Sequence, residues 1–286
     1  MILSGKRYIV HGSRSDSFTI WNLADLHWMA RACAEDRVRE DIRRIADDPF
    51  SFWCGGGDYA DHIGRQDKRF RVNGLAPWVK LEDLGDLGRI GVQQVRDLFQ
   101  PIKHKCLGLI MGNHEMSIAH QQDQDLHGWL CTDLGVPNLG YTCLFDLVFV
   151  RNPRTKTPEL QMDTKFAGCS AESFRICTYH GCGAARTLAS KLKRLEDVMH
   201  YFEADLYFAA HVHHGQQALR AITIGGDAAC VKAREIHRLG VISGSYLKTY
   251  APGETTYGEQ RGYAPSVLGA AAIRIRPEDR QLTAEV

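Results

Sequence analysis

Short runs of apolar, β-branched and aromatic residues recur along the chain, separated by stretches with a different spacing. Runs of this length and composition are typical of buried β-strands. They are SFTIWNLA at 17–24, FSFWC at 50–54, CLGLIM at 106–111, CLFDLVFV at 143–150, SFRICTY at 173–179 and DLYFAA at 205–210. The stretch that follows, to about residue 245, is also expected to be rich in strands.

Apolar residues three and four positions apart predict amphipathic helices between these strands. The clearest helix covers 187–202, where one face carries Leu188, Leu192, Leu195, Val198, Met199 and Phe202. Further helices are predicted at 29–46, at 87–99 and near 120–133. Strands that alternate with helices indicate a layered α/β fold.

Polar side chains follow five of the predicted strands at the point where each strand ends. They are Asp25 and His27 in LADLHW, Asp58 in GGGDYAD, Asn113 and His114 in MGNHE, His180 in YHG, and His211 and His213 in AHVHH. In open α/β sheets, ligands bind beyond the carboxyl ends of the strands. We therefore expect these residues to converge on one site.

The chemistry of these side chains predicts a metal site. Carboxylate, amide and imidazole ligands together suit Mn, Fe, Zn or Ni better than Mg or Ca, which prefer oxygen ligands. Seven such side chains are too many for one tetrahedral ion, and they suit two ions about 3.5–4 Å apart that share a carboxylate. Asp58 is the natural bridge. The D-x-H and H-x-H spacings suit extended or turning backbone.

Each polar cluster also has an ordinary explanation when it is taken alone. Gly-Asn-His is a common turn composition, and a single histidine is more often a core or surface residue than a ligand. The glycines at 55–57 lack the Gly-Lys-Ser/Thr ending of a phosphate loop, so they indicate a tight strand exit. Five clusters in order, each after a strand, are unexpected by chance, and this favours the metal site.

Composition narrows the class of protein. The chain has 286 residues, 44% apolar and 24% charged, which is typical of a globular protein. We expect one domain over 1–286, with a surface insertion at about 62–85. The formal net charge of +1 gives no overall attraction to nucleic acid or membrane. Neither a signal peptide nor a membrane span is predicted, and nine scattered cysteines without a CxxC pair indicate a reducing cytoplasmic location.

Taken together, the polar clusters resemble the signature of the calcineurin-like metallophosphoesterase superfamily, which reads D-x-H, G-D, G-N-H-E/D, H and G-H-x-H. The corresponding residues are Asp25-Leu26-His27, Gly57-Asp58, Gly112-Asn113-His114-Glu115, His180 and Ala210-His211-Val212-His213. The resemblance spans about 17–215, and Ala210 stands where glycine is usual. It implies the layered metallophosphoesterase fold, a β-sandwich of mixed sheets flanked by helices. We expect the small side chain of Ala210 to leave the ligands intact.

The resemblance also implies a role for each residue. One ion would take Asp25, His27 and His213, the other Asn113, His180 and His211, and Asp58 would bridge them. Mn²⁺ is the expected metal, with Fe, Zn or Ni as alternatives. A hydroxide between the ions would attack phosphorus, while His114 would stabilise or protonate the leaving oxygen. Glu115 would orient His114.

Two branches of the superfamily share features with this chain. GDYAD and GNHE resemble the Ser/Thr protein phosphatases, but His62 and Met111 stand where that branch has phosphate-binding arginines. AHVHH resembles the phosphodiesterase and nuclease branch, and the chain, including SGSYLKTY at 243–250, resembles phosphoesterases from phage and prophage. The leading hypothesis is a phosphodiesterase acting on nucleic acid or a nucleotide diester. A phosphomonoesterase and a non-catalytic binding protein are the alternatives, and the oligomeric state is left open.

We expect mostly ordinary structural roles for the other charged residues and histidines. The insertion carries Arg65, Lys68, Arg69, Arg71 and Lys80 with Phe70 and Trp78 among them. These residues suit either a substrate wall with stacking aromatics or a solvated loop anchored by its aromatics, and the second is favoured. Lys191, Lys193 and Arg194 are expected on the solvent face of their helix. The histidines not expected to be ligands are His104, His120, His127, His214 and His237.

Overall fold

A computed structural model describes residues 1–63, 67, 70–162, 171–183, 187–213, 217–227, 232–253 and 255–285. The strands are β1 (Ile2–His11), β2 (Phe18–Leu23), β3 (Ser51–Gly55), β4 (Cys106–Leu109), β5 (Thr142–Arg151), β6 (Glu159–Gln161), β7 (Ala171–Tyr179), β8 (Leu206–Ala209), β9 (Gln217–Asp227), β10 (Lys232–Ile242), β11 (Ala271–Arg276) and β12 (Gln281–Glu285). The helices are α1 (Glu35–Asp47), α2 (Leu87–Phe99), α3 (Asn113–Gln122), α4 (Leu126–Leu134), α5 (Leu188–Tyr201) and α6 (Tyr257–Gln260).

The strands form two mixed sheets. The seven-stranded sheet has the order β6-β1-β5-β7-β8-β10-β9, and the five-stranded sheet has the order β12-β11-β2-β3-β4. Strands β7, β8 and β10 are parallel neighbours in the larger sheet, as are β2, β3 and β4 in the smaller one. The predicted α/β class is thus confirmed, with two mixed sheets flanked by helices.

Hydrophobic burial explains how the sheets and helices stack. Ile20 and Phe52 of the smaller sheet share one buried cluster with Leu147 of the larger sheet, so the inner faces of the sheets pack together. On the outer face of the smaller sheet, Trp53 packs in a cluster with residues of α1, α2 and α4. Tyr207 packs with α5 on the outer face of the larger sheet. Because β2 and β3 are covered on both faces, their sequences are nearly continuous apolar runs.

All six predicted strands are present, within two residues of their predicted bounds, and the strand-rich stretch contains β9 and β10. Two helix predictions are wrong in their bounds. The helix predicted at 29–46 begins at Glu35, because the backbone of Trp28, Ala30 and Cys33 forms isolated β-bridges with other segments. The helix predicted near 120–133 is replaced by α3 and α4, with Asp123 between them in the left-handed region at φ 53°. Strands β1, β6, β11 and β12 and helix α6 have no counterpart among the predicted elements.

The polar clusters lie in the loops that follow the ends of the two sets of parallel strands. Strands β2, β3 and β4 end at Leu23, Gly55 and Leu109, and β7 and β8 end at Tyr179 and Ala209. Each of these ends leads directly into one of the polar clusters. Among the described helices, none combines the length and apolar character needed to cross a membrane.

Candidate metal centre

All seven predicted metal ligands lie close together at the ends of these strands. The ligating atoms of Asp25, His27, Asp58 and His213 lie within 4.8 Å of one another, and so do those of Asp58, His180 and His211. Asn113 joins the second group, because its Oδ1 lies 3.0 Å from Nε2 of His180. Asp58 belongs to both groups, as expected for a shared carboxylate.

The individual distances show that ring nitrogens and carboxylate oxygens lie close to one another. Nε2 of His213 lies 3.1 Å from Nε2 of His27 and 3.3 Å from Oδ1 of Asp25. Oδ2 of Asp58 lies 3.3 Å from Nε2 of His180 and 4.0 Å from Nε2 of His27. The site is therefore a compact set of lone-pair donors from distant parts of the chain.

Buried polar atoms without hydrogen bonds support a cation at this position. The buried side-chain atoms without a hydrogen bond in the described part of the chain include Nδ1 of His211 and Oδ1 of Asp25, although Nε2 of His213 lies 3.3 Å from that oxygen. Such atoms are costly to bury unless they are paired or coordinate a metal. These buried Asp and His groups could therefore hold metal ions.

The backbone at the site is held in an unusual conformation. Five of the seven residues have left-handed backbone angles, with φ between 39° and 71°: Asp25, His27, Asp58, His211 and His213. For residues other than glycine, this conformation costs on the order of 1–3 kcal/mol each and persists only where the surroundings enforce it. The D-x-H and H-x-H segments are therefore turns rather than extended strands.

Two glycines allow the loops after β3 and β4 to touch. Gly57 has φ +89°, and a Cβ on it would lie 2.6 Å from the backbone nitrogen of Gly112. A Cβ on Gly112 would lie 2.1 Å from Oδ1 of Asp58 and 2.2 Å from its backbone nitrogen. Glycine at both positions lets Asp58 sit directly against the start of α3.

Glu115 does not take the role expected for it beside His114. Its Oε2 accepts the backbone N–H groups of Asp58 and Gly112 at 3.0 and 2.9 Å, and its Oε1 accepts that of Tyr59 at 2.8 Å. Glu115 therefore fixes two loops through their backbone. The reason is that α3 begins at Asn113, which turns this carboxylate back towards the amides at the helix start.

Asp61 is the partner of His114, and the sequence analysis gave it no role. Nδ1 of His114 contacts the backbone oxygen of Asp61 and lies 3.9 Å from its Oδ1. The same carboxylate oxygen lies 3.1 Å from Nδ1 of His27. A carboxylate behind a ligating histidine fixes the ring and its tautomer. The sequence feature that could have indicated this role is the second aspartate of GDYAD, three residues after Asp58.

The charges in the site are strongly coupled. Burial would raise the pKa of Asp58, but His180 and His114 outweigh it and hold that pKa well below its usual range. Burial would lower the pKa of His180, but Asp58 and then Asp25 raise it to about 10. Burial and the charge of Asp58 raise the pKa of Glu115 to about 7. The protonated His180 thus neutralises part of the buried negative charge, as a bound metal ion would.

His62 and Met111 stand at the two positions where arginines are found in the protein-phosphatase branch, and neither brings a positive charge to the site. The ring of His62 is buried, with Nε2 4.0 Å from Oε1 of Glu115, and burial lowers its pKa to about 4. Met111 is held through its backbone N–H, which donates to Gly140. Ala210 is buried beside the site, and its backbone N–H donates to His180.

The aromatic residues of the insertion act as anchors. The ring of Trp78 lies 6.2 Å from that of Trp28, and its Nε1 donates to Glu35 at 2.5 Å. Phe70 packs against the core cluster beneath the smaller sheet. Lys80 is paired with Glu82. Arg71 donates to the backbone oxygen of Phe70 at 2.8 Å. Arg65, Lys68 and Arg69 lie outside the described residues, as does His214.

Comparison with models of known protein families and with curated proteins found no match for this chain. A functional proposal for this chain therefore depends on its fold class and on its cluster of buried Asp and His residues. No assignment of substrate or metal comes from a relative.

Replacing Gly112 with alanine tests the close contact with Asp58. The new Cβ would overlap the backbone of Asp58, so the two loops must separate. We expect the free energy of unfolding to fall by about 1–3 kcal/mol, measured by urea denaturation, with weaker Mn²⁺ binding. Gly85→Ala is the matched control, because a Cβ on Gly85 meets nothing within 4 Å. Wild-type stability and Mn²⁺ binding in both variants would contradict a close contact between Gly112 and Asp58.

A second prediction concerns pH. Because the pKa of His180 is raised from 6.5 to about 10, its stabilising interactions are complete below pH 6.5 and are lost as the pH rises through 10. In EDTA-treated protein, the free energy of unfolding should fall more steeply from about pH 7 to about pH 10 than in His180→Gln. Saturating Mn²⁺ should oppose this trend, since the ion and the proton compete for the ring. Identical urea-denaturation profiles for wild type and variant would contradict the prediction.

Proposed function

We propose that this protein is a two-metal phosphoesterase of the calcineurin-like metallophosphoesterase superfamily, and that it hydrolyses phosphodiesters of nucleic acid or nucleotides. One observation carries the proposal: seven side chains from five strand ends form two groups that share Asp58. The helix–sheet–sheet–helix stacking is consistent with the layered fold that the motifs imply.

The residues divide between two metal positions. Asp25, His27 and His213 would hold one ion, with Asn113, His180 and His211 holding the other and Asp58 contacting both. When bound, the ions would lower the pKa of a water molecule and offset negative charge on the phosphoryl oxygens. The mixture of nitrogen and oxygen donors favours Mn²⁺, with Fe, Zn or Ni as alternatives.

His114 is the proposed general acid. Its ring is buried and meets the ring of His27 edge-on at 4.7 Å, which places it beside the first metal group. Because Nδ1 faces Asp61, Nε2 is the nitrogen that would carry the proton to the leaving oxygen. Asp61 would hold this ring and that of His27 in one arrangement, so the acid and a metal ligand share a support.

The surroundings of the site favour a diester over a monoester. A phosphomonoester carries more negative charge than a diester, and the protein-phosphatase branch binds it with paired arginines. Here the corresponding positions are His62, which faces Glu115, and Met111. A site without these two guanidinium groups is better suited to a singly charged phosphodiester.

An activity screen with matched substrates tests the proposal. With Mn²⁺, we expect hydrolysis of bis-p-nitrophenyl phosphate and single-stranded DNA to exceed that of p-nitrophenyl phosphate. Asp58→Asn should lose both metal and activity, because the shared carboxylate contacts both groups. Faster hydrolysis of the monoester would favour the phosphatase alternative. A wild-type protein that binds metal but cleaves none of the three would favour the binding-protein alternative.

The variant His114→Ala tests the general acid separately. It should retain metal, because Oδ1 of Asp58 is held by the backbone N–H of residue 114, at 2.9 Å, and not by the ring. Its kcat/KM should fall by about 10²–10⁴ for a dinucleotide, whose sugar hydroxyl is a poor leaving group. The fall should be smaller for bis-p-nitrophenyl phosphate, whose leaving group needs no proton. An equal fall for both substrates would contradict proton transfer by His114.

A further inference from the structure

Lys191 lies in an unexpected environment. Lys191, Lys193 and Arg194 are predicted from the sequence to lie on the solvent face of their helix, and for Lys191 that prediction is wrong. Its side chain is 7% exposed, and Nζ donates to the backbone oxygen of Val212 at 2.9 Å. Val212 is the residue between His211 and His213. Lys193, two positions along α5, is exposed and paired with Glu196 and Asp197.

The segment that Lys191 contacts is a strained turn. The backbone N–H of Val212 donates to the oxygen of Ala210 at 2.8 Å, and His211 between them has φ 71°. A three-residue turn with a positive φ at its centre is rare and unfavourable. His213 follows with φ 39°. Residues 211–213 supply one histidine to each of the two metal groups, so any relaxation of this backbone would disturb both groups.

Three side chains from separate elements hold the backbone of residues 211–213. The backbone N–H of His211 donates to Oδ2 of Asp25 at 2.8 Å. Lys191 holds the oxygen of Val212, and the hydroxyl of Ser266 donates to the oxygen of His213 at 3.0 Å. Lys191 is the one of these anchors that carries a positive charge and comes from the helical layer.

Stability alone gives no reason for an ammonium group at this place. Taking a lysine side chain out of water costs free energy, and one hydrogen bond to a carbonyl recovers only part of it. An apolar side chain on α5 would pack against the sheet without that cost. The hydrogen bond from Lys191 to Val212, which holds the turn, therefore explains why a lysine stands at this position.

We propose that Lys191 is a positioning residue for the metal site, which fixes the turn at 211–213 so that His211 and His213 serve two divalent ions together. This inference rests on the proposed two-metal function. It assigns Lys191 no contact with substrate and no part in proton transfer. Its consequence is that metal affinity depends on a residue of α5 that is itself not a ligand.

Replacing Lys191 with methionine tests this role, because methionine retains much of the length and none of the N–H donors. We expect Mn²⁺ affinity, measured by titration calorimetry on the full chain, to fall about 10–100-fold at both positions. The visible spectrum of the Co²⁺-loaded protein should change, since the two histidines move. The melting temperature of the EDTA-treated variant should equal or exceed that of the wild type. Lys193→Met is the matched control and should leave affinity and spectrum unchanged.

A chemical rescue separates positioning from general damage to the fold. In Lys191→Ala, propylammonium matches the deleted atoms and can donate to Val212, so it should restore Mn²⁺ affinity and the Co²⁺ spectrum. Tetramethylammonium has the charge but no N–H group, and it should restore neither. This variant also serves as the test if Lys191→Met does not fold.

The results distinguish this inference from the proposed function. A wild type that binds two Mn²⁺ ions, with a Lys191→Met variant of equal affinity and unchanged Co²⁺ spectrum, would overturn the role of Lys191 alone. Loss of affinity in Lys191→Ala that propylammonium cannot reverse would also overturn it. A wild type that binds no divalent ion would overturn the two-metal function and this inference with it.

Discussion

The position of the Asp58 carboxylate is the constraint on which the rest of the site depends. Its Oδ1 accepts the backbone N–H of His114, while its Oδ2 faces His180 and His27. A carboxylate in this position requires the loop after β3 and the start of α3 to be in contact. Gly57 and Gly112 permit that contact, and burial makes each nearby charge strongly dependent on the others.

Glu115 and Asp61 organise the site without belonging to the groups around Asp58. Glu115 accepts three backbone N–H groups and so joins the two loops that carry Asp58 and Asn113. Asp61 contacts the rings of His27 and His114. The acidic residues Asp58, Asp61 and Glu115 thus perform three different tasks at one site, and the direction of each side chain decides which task it performs.

Strained backbone at the site requires rigid surroundings. The left-handed residues of the D-x-H and H-x-H turns follow strands whose side chains belong to the core between the sheets. The C-terminal part of the chain adds further support, because Tyr246 and Ser245 both donate to the backbone oxygen of Asp25. Such an arrangement trades some stability for a preformed set of ligating atoms.

The sequence by itself determined the strands that carry the site and the residues at their ends. Short strands buried on both faces are continuous apolar runs, as in β2 and β3, so they are visible without any partner. The described elements that escaped prediction include β1, β6, β11, β12 and α6, and the start of α1 was also mispredicted. The start of α1 depends on the bridges that hold residues 28–33 to distant segments.

Only the tertiary structure decided what the polar residues contact. Lys191, Asp61 and Glu115 each belong to a local pattern that gives no sign of their partners, which lie on other elements or across a turn. The helical period places Lys191 on the same face of α5 as Leu195 and Val198, but it cannot show that the lysine nitrogen meets the turn that carries His211 and His213. Burial and hydrogen-bond partners depend on what packs over a residue, and this is set by the arrangement of the sheets.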